Sequence, residues 1–233
     1  MQGRSTFLTG LLIVDKPAGP SSMDVVRRVR HVAGGAKTGH AGTLDPLATG
    51  VVICCLGRAT RCVEQLMGMP KTYETRVDLS AFSTTDDLEG ELTPVDVPQP
   101  PTRQAVDLAC ARFVGSIKQV PPAHSAARIN GRRAYRAARR GEKVDLPAKT
   151  VHVHAIDVLN YDWPNVVLRI ACGRGTYVRS LARDLGTRLG TGGHVTSLRR
   201  TAVGPYTLER AVTFDHLTQP LGEADLLPVP EAG

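Results

Sequence analysis

The sequence predicts an α+β fold with a mixed, mostly antiparallel sheet flanked by helices, and with a basic helical insertion. Segments of strand character are interrupted by helices without the regular strand–helix–strand alternation of a parallel sheet. The 233 residues are 42% hydrophobic and 22% charged, an ordinary globular composition. We therefore expect one domain over residues 1–220 that contains the insertion at 121–149, followed by a short tail at 221–233.

The N-terminal elements follow from local signals. A strand at Leu11 to Val14 leads into the turn DKPAGPSS, whose serines are suited to cap a helix. That helix, roughly Met23 to Ala33, carries valines at helical spacing and stops at a glycine pair. The segment GHAGTLDPLATG, residues 39–50, is predicted to be a loop, and a buried strand from Val51 to Leu56 follows it.

The remaining elements are predicted in the same way. Alternation of Tyr73, Thr75, Val77 and Leu79 predicts a half-buried strand. A linker-like stretch at 95–102 precedes a helix that Thr102 caps and that runs to about Val114. The other predicted elements are a short helix at Arg61 to Met67, strands at Val151 to Tyr161 and Val166 to Cys172, a helix at Tyr177 to Leu189, a last strand within 192–208 and a short helix in the tail.

The positive charge of the chain is concentrated in the insertion. The formal net charge is +7, and residues 128–143 contain seven basic residues and a single acidic one. A solvated helix face is one interpretation of this run. Because arginine suits bidentate phosphate contact, nucleic-acid binding is the interpretation we favour. The arginines concerned are Arg128, Arg132, Arg133, Arg136, Arg139 and Arg140.

Several classes of protein are not expected. Five cysteines in no repeated spacing predict reduced thiols and a cytoplasmic location. The apolar run from Val51 to Leu56 is too short to cross a bilayer, and the N-terminus lacks the features of a secretory signal. His152 and His154 share a strand face without a third ligand in view, so we expect no metal.

Asp45 is the most unusual acidic residue in the chain. Pro46 restrains the backbone of Asp45 to an extended shape, and Gly42 and Gly50 allow the loop to turn sharply. A turn aspartate would favour the same neighbours, so these residues leave catalytic and structural roles open.

Two further segments carry candidate partners. In CGRGTYVRSLARDLG, residues 172–186, Arg179 and Arg183 share a helix face, and either can pair with a carboxylate from another element. The alternative is that Arg183 pairs with local acids and that Arg179 is exposed. Tyr73 is either a core residue or a platform for a base, a contact worth about 1–3 kcal/mol.

In order along the chain, these segments resemble the bacterial TruB-type tRNA pseudouridine synthases. The matching stretches cover about residues 10–220; they are GLLIVDKPAGPSS, KTGHAGTLDPLATGVVICCLGRATR, KTYE, VPPAHSAARINGRRAYRAARRG, CGRGTYVRSLARDLG and GGHVTSLRRTAVGPY. The resemblance implies the pseudouridine synthase fold, isomerisation of uridine 55 in the T loop of tRNA, and no cofactor.

The resemblance also implies residue roles. Asp45 would be the nucleophile that attacks the ribose C1′ or the uracil C6. Tyr73 would stack on the uracil and take the ribose proton lost during isomerisation, and Arg179 would form an ion pair with Asp45. His40 would contact the flipped nucleotide, while Tyr177 and Leu198 would line the uracil pocket. Lys16 and Pro17 would support the site.

The sequence departs from the family pattern at several places. Arg128 stands where the family usually has lysine, and Thr84 stands where an RNA-binding acid is common, so no site is expected there. Residues 220–233 are too few for the PUA-type domain of many relatives. We expect a monomer that binds the T arm. A non-catalytic RNA-binding or RNA-folding protein on the same scaffold, or the same chemistry on another structured RNA, are the alternatives.

Overall fold

The structure, a computed structural model, describes residues 8–123, 125, 128, 129, 132, 133 and 146–230. For residues 128, 129, 132 and 133 it describes the backbone alone. The chain divides into two compact units. The first comprises Met1–Thr72 and Arg199–Gly233, and the second comprises Tyr73–Leu198.

Strands and helices alternate irregularly along the chain, as the sequence predicts for an α+β fold. The strands are β1 (Gly10–Lys16), β2 (Thr38–His40), β3 (Thr49–Leu56), β4 (Lys71–Asp78), β5 (Ala81–Ser83), β6 (Leu92–Pro94), β7 (Gly115–Gln119), β8 (Arg128–Ile129), β9 (Arg132–Arg133), β10 (Lys149–Asp162), β11 (Asn165–Cys172), β12 (His194–Val203), β13 (Tyr206–Thr207) and β14 (Val212–Thr213). The α-helices are α1 (Ser22–Val32), α2 (Val63–Gly68), α3 (Arg103–Ala111) and α4 (Val178–Leu189). Short 3₁₀ segments lie at Gly57–Cys62, Leu208–Arg210, Phe214–His216 and Glu223–Asp225.

The first unit is built around β3. This strand pairs antiparallel with β1 from Gly10↔Leu56 to Lys16↔Gly50, and it pairs parallel with β12 at Arg199 and Arg200. Strand β1 also pairs parallel with β14, so the sheet is mixed, as predicted. Seven of the eight residues of β3 are buried, which confirms the predicted buried strand.

Helix α1 begins where the sequence places its cap. The Ser21 side chain accepts from the backbone N–H of Asp24, and the Asp24 carboxylate accepts from the backbone N–H of Ser21 at 2.8 Å. A cap of this kind contributes about 1 kcal/mol. The apolar face of α1 buries Val25, Val26, Val29 and Val32, the valines that predicted the helix.

The second unit contains a sheet in the order β12, β4, β11, β10, β7, with β12 represented here by its residues up to Leu198. Strands β10 and β11, and strands β10 and β7, pair antiparallel. Helix α3 packs against β10 and α4. Thr102 caps α3 as predicted, its side chain accepting from the N–H of Ala105. The helix ends at Ala111, three residues before the predicted end at Val114.

The structure also differs from the sequence prediction elsewhere, and strand β7 is one element that was not predicted. Residues 39–50 are not all loop, because β2 ends at His40 and β3 begins at Thr49. The hairpin of β5 and β6 was not predicted, since each strand is only three residues long. The insertion contains the hairpin of β8 and β9, which pairs Arg128 with Arg133. The basic helix predicted further along falls outside the described residues.

None of the helices within the described residues has both the length and the apolar character needed to cross a membrane.

Candidate active site

Asp45 lies in the loop between β2 and β3 and is partly buried. The residue after it is held by Lys16, a fully buried side chain at the end of β1. The Lys16 Nζ donates to the carbonyl oxygens of Pro17 at 2.8 Å, Pro20 at 2.8 Å and Pro46 at 3.1 Å. The loop beside Asp45 is therefore anchored by a buried ammonium, which agrees with the supporting role expected for Lys16.

The residues before Asp45 are held as firmly. The Ser22 hydroxyl donates to the Leu44 carbonyl at 2.9 Å and accepts from the Leu44 N–H at 2.8 Å. The guanidinium of Arg200, only 1% exposed, donates to the carbonyls of Gly42 at 3.1 Å and Val51 at 2.7 Å. The loop is thus fixed to α1, β3 and β12, and the position of the Asp45 backbone is determined before any ligand binds.

The two loop glycines meet the conformational demand that the sequence suggested. Gly42 has φ +100° and Gly50 has φ +104°, a region that side chains strongly disfavour. A Cβ at Gly50 would also collide with the carbonyl oxygen of Arg200. The close pairing of β3 and β12 at this point therefore requires glycine.

Lys16 places a buried positive charge close enough to Asp45 for the two side chains to interact electrostatically. Burial lowers the pKa of Lys16 to about 8, the Asp45 carboxylate opposes this shift by attraction, and Arg200 adds to it by repulsion. Below pH 8 the ammonium carries its charge and attracts the Asp45 carboxylate.

His40, at the end of β2, is suited to contact a ligand. Its Nδ1 is buried and has no hydrogen-bond partner among the residues that the structure describes. Burial lowers the pKa of His40, the Gly42 backbone opposes this shift, and the nearby Arg200 charge reinforces it. The imidazole is therefore neutral at pH 7. A buried polar atom without a partner costs about 1–3 kcal/mol, which a hydrogen bond to a ligand can recover.

Arg179 lies in the second unit, on the first turn of α4, and is 5% exposed. Its Nη1 donates to the Asp87 carboxylate at 3.0 Å and to the Thr85 carbonyl at 3.2 Å. The alternative that Arg179 is merely exposed is therefore wrong. The Asp87 carboxylate, 1% exposed, also accepts from the Thr85 hydroxyl and from the Glu89 N–H at 3.0 Å, so a buried polar network holds the guanidinium.

Arg183, one helical turn further along α4, pairs with acids of the same unit. The alternative stated above for Arg183, pairing with local acids, agrees with this for Asp184. It donates to Asp86 at 2.8 Å and to Asp184 at 3.0 Å. Asp86 adopts φ +62°, and burial raises the pKa of its carboxyl group to about 6, with Arg183 acting in the opposite direction. The sequence interpretation missed the pairing of Asp86 with Arg183 and of Asp87 with Arg179. Its signal was two consecutive acids and two arginines at i and i+4.

The other predicted residues are placed on regular elements of the second unit. Tyr73 lies on β4 and is half-buried, with Thr75, Val77 and Leu79 buried in alternation after it. Tyr177 is the residue that precedes α4, and Leu198 is buried on β12. His40 and Asp45 lie in the first unit, so the pairing of Asp45 with Arg179 stays a prediction.

A basic cavity in the first unit was not expected from the sequence. It has a volume of about 850 Å³, and its charged lining contains four basic side chains and one acidic side chain. These are Arg30, Lys37, Arg58, Arg61 and Glu223. Such a lining suits phosphate groups.

The RNA-binding residues predicted in the insertion are not tested by the structure. Arg136, Arg139 and Arg140 lie outside the described residues. For Arg128, Arg132 and Arg133 only the backbone is described.

A metal site does not emerge from the part of the chain that the structure describes, since no three potential ligands among histidine, cysteine, aspartate and glutamate come together there. His152 and His154 are exposed on β10, with ring centroids 4.8 Å apart.

Comparison with known proteins points to one family. Residues 30–178 match the model "TruB family pseudouridylate synthase (N terminal domain)", and residues 179–225 match "tRNA pseudouridylate synthase B C-terminal domain". The chain is 48% identical over 231 residues to the tRNA pseudouridine synthase B of Thermobifida fusca (strain YX), covering 96% of this chain and 78% of the relative. It is 47% identical over 221 residues to that of Arthrobacter sp. (strain FB24), covering 92% and 72%.

Solved structures agree in fold. A chain of a Cbf5–Nop10–Gar1 complex superposes with a TM-score of 0.69 at 31% identity, over 89% of this chain and 53% of that one. A chain of the archaeal box H/ACA sRNP Nop10–Cbf5 complex gives a TM-score of 0.66 at 30% identity, over 91% and 53%. The chain thus spans about half the length of these structural relatives.

Proposed function

The chain belongs to the TruB family of pseudouridylate synthases, and on this premise we propose that it isomerises uridine 55 in the T loop of tRNA to pseudouridine. The observation that carries the proposal is the immobilised loop of Asp45. Lys16, Ser22 and Arg200 hold this loop, and its sequence is the one on which the family resemblance is most specific. A loop aspartate with only a structural role would not need a buried ammonium and a buried guanidinium beside it.

The reaction explains why a single acid suffices. The bond from N1 of uracil to C1′ of ribose breaks, the base turns, C5 bonds to C1′, the proton of C5 leaves, and N1 takes up a proton. No water, electron or phosphoryl group is gained or lost. Asp45 supplies the electron pair, with C1′ or C6 as the atom attacked, and it leaves again when the product forms.

The other residues prepare the nucleotide. Tyr73 stacks on the uracil and takes the proton that the ribose loses transiently and regains when the product forms, while Tyr177 and Leu198 line the pocket. His40, neutral and with an unpartnered buried nitrogen among the described residues, contacts the flipped nucleotide. Arg179, oriented by Asp87, takes the role of ion-pair partner of Asp45.

RNA binding must offset the cost of flipping. Extruding a base costs a few kcal/mol, and phosphate contacts supply the free energy to compensate. The basic cavity of the first unit and the arginines of the insertion are the surfaces we propose for the T arm.

The test is direct mapping of the product. A T-arm hairpin, a full tRNA transcript and an unrelated structured RNA are incubated with the protein, and pseudouridine is located by carbodiimide-blocked primer extension. We expect product at position 55 of both tRNA substrates with the wild type and none with Asp45→Asn. Asp107→Asn, an exposed carboxylate-to-amide change on α3, is the matched control and should be fully active.

The alternatives give distinct results in the same experiment. Tight T-arm binding without product would support an RNA-binding or RNA-folding protein. Product on the unrelated RNA alone would support another substrate.

We further propose that the enzyme works as a monomer in the cytoplasm, without metal or organic cofactor. Activity should persist in EDTA, and the particle mass in solution should match one chain of 25.0 kDa.

A further inference from the structure

The strands that flank the insertion at 121–149 pair with each other in the sheet of the second unit. Gln119, the last residue of β7, is the cross-strand partner of Lys149, the first residue of β10. The chain therefore leaves the sheet and returns to it at neighbouring positions. The side chain of Gln119 holds this end of β7 in place through its contacts with the start of α4.

The Gln119 side chain binds the start of α4. It is 1% exposed, its Nε2 donates to the Tyr177 carbonyl at 3.0 Å, and its Oε1 accepts from the Tyr177 N–H at 2.8 Å. Tyr177 is the N-cap residue of α4 and makes no side-chain cap hydrogen bond. One side chain from another strand thus binds both backbone groups of Tyr177, whose carbonyl also accepts from the Leu181 N–H at 3.2 Å, and this arrangement fixes where α4 begins.

A second contact ties the same two elements together. The Val120 carbonyl accepts from the Ser180 hydroxyl at 2.8 Å and from the Arg183 Nη2 at 3.0 Å. Ser180 is fully buried and directly follows Arg179. The first turn of α4 is therefore held by Gln119 on the Tyr177 side and by the Val120 carbonyl on the Ser180 side.

We propose that Gln119 is a positioning residue for pseudouridine formation, acting through Tyr177 and Arg179, with Ser180 in a supporting part. The proposal rests on the proposed function, because those two residues matter only if they face the nucleotide. Gln119 does not touch the substrate. It sets the backbone from which the Tyr177 ring projects, whereas Arg179 has a further restraint in Asp87. Loss of Gln119 should therefore reduce the rate of the chemical step more than it weakens RNA binding.

The test uses Gln119→Ala and Gln119→Glu in single-turnover reactions at saturating tRNA, with affinity measured separately. We expect the rate constant to fall about ten- to a hundredfold, the penalty of a small misplacement, while Kd stays within about twofold. Gln104→Glu, the same change at an exposed position of α3, is the matched control and should leave both values unchanged.

The pH dependence of the glutamate variant tests whether the hydrogen bonds to Tyr177 are the cause of the rate change. A neutral carboxylic acid can donate to the Tyr177 carbonyl and accept from its N–H, as the amide does, whereas a carboxylate cannot donate. The rate of Gln119→Glu relative to wild type should therefore recover as the pH falls, and Gln119→Ala should show no recovery.

Three results would overturn the proposal. These are wild-type rates in both Gln119 variants, a loss confined to Kd, or equal pH profiles for the glutamate and alanine variants. If a Gln119 variant does not fold, Ser180→Ala decides, with a rate decrease of about threefold to tenfold at unchanged Kd expected from the loss of one hydrogen bond. A wild-type protein without activity would refute the proposed function, and this result differs from the three above, which all require an active wild type.

Discussion

Replacing Asp87 with asparagine tests whether the polar network under Arg179 stabilises the protein. The ion pair joins atoms 3.0 Å apart, and its side chains are 6% and 1% exposed. Removing one partner of a buried pair costs about 3–5 kcal/mol, because the remaining charge stays buried without compensation. Asparagine still accepts hydrogen bonds, and the Thr85 carbonyl still accepts from Arg179, so the low end of this range applies.

We therefore expect Asp87→Asn to lower the free energy of unfolding by about 3 kcal/mol. For a chain of this length that corresponds to a decrease in Tm of about 6–12 °C. The assay is urea denaturation, read together with the single-turnover rate. The rate should fall as well, since Asp87 orients the guanidinium of Arg179.

The control is an aspartate–arginine pair on the surface of the same unit. Asp107 and Arg103, on α3, are 48% and 49% exposed, and Asp107→Asn should cost less than about 1 kcal/mol. If the two variants lose the same free energy, or if Asp87→Asn keeps the wild-type rate, the role given to the buried network is refuted.

Other substitutions test the loop of Asp45, the buried carboxyl group of Asp86 and the basic cavity one at a time. Lys16→Met removes the donor that holds Pro46 and should lower the single-turnover rate about tenfold or more. In the wild type the rate should fall as the pH rises through about 8, where Lys16 loses its proton. A rate that stays constant above pH 8 would contradict this. The folded-state pKa of Asp86, about 6, exceeds the ordinary 3.8, so the folded protein binds more protons than the unfolded chain between these values. The free energy of unfolding should therefore decrease from about pH 4 to about pH 6, by up to about 3 kcal/mol, and Asp86→Asn should lack this component in urea titrations. Replacing Arg58 and Arg61 together by glutamate should weaken tRNA binding and flatten its salt dependence by about one unit of log–log slope for each phosphate group that the variant no longer binds; an unchanged slope would exclude the cavity from the interface.

Local signals were sufficient to predict much of the fold. Helix α1 and strand β3 follow from a serine cap, helical spacing of valines and a continuous apolar run, all of which act over a few residues. The loop of Asp45 was recognised for the same reason, since glycines permit sharp turns and a proline restricts the residue before it wherever they occur.

The supports of the site were harder to predict because they join distant parts of the chain. Asp87 and Arg179 are 92 residues apart in sequence, and nothing in either segment specifies the pairing. Arg200 and Lys16 are among the largest fully buried side chains, whereas their residue types usually lie at the surface. Their role depends on carbonyl groups that only the folded loop brings into reach.

The central claim is that Asp45 is the nucleophile of a uridine isomerisation, and the most direct test follows the proton that leaves C5. With tRNA that carries tritium at C5 of its uridines, the wild-type protein should release label to solvent in proportion to the pseudouridine formed, while Asp45→Asn should bind the same tRNA and release none. Release by Asp45→Asn at the wild-type rate would contradict the claim.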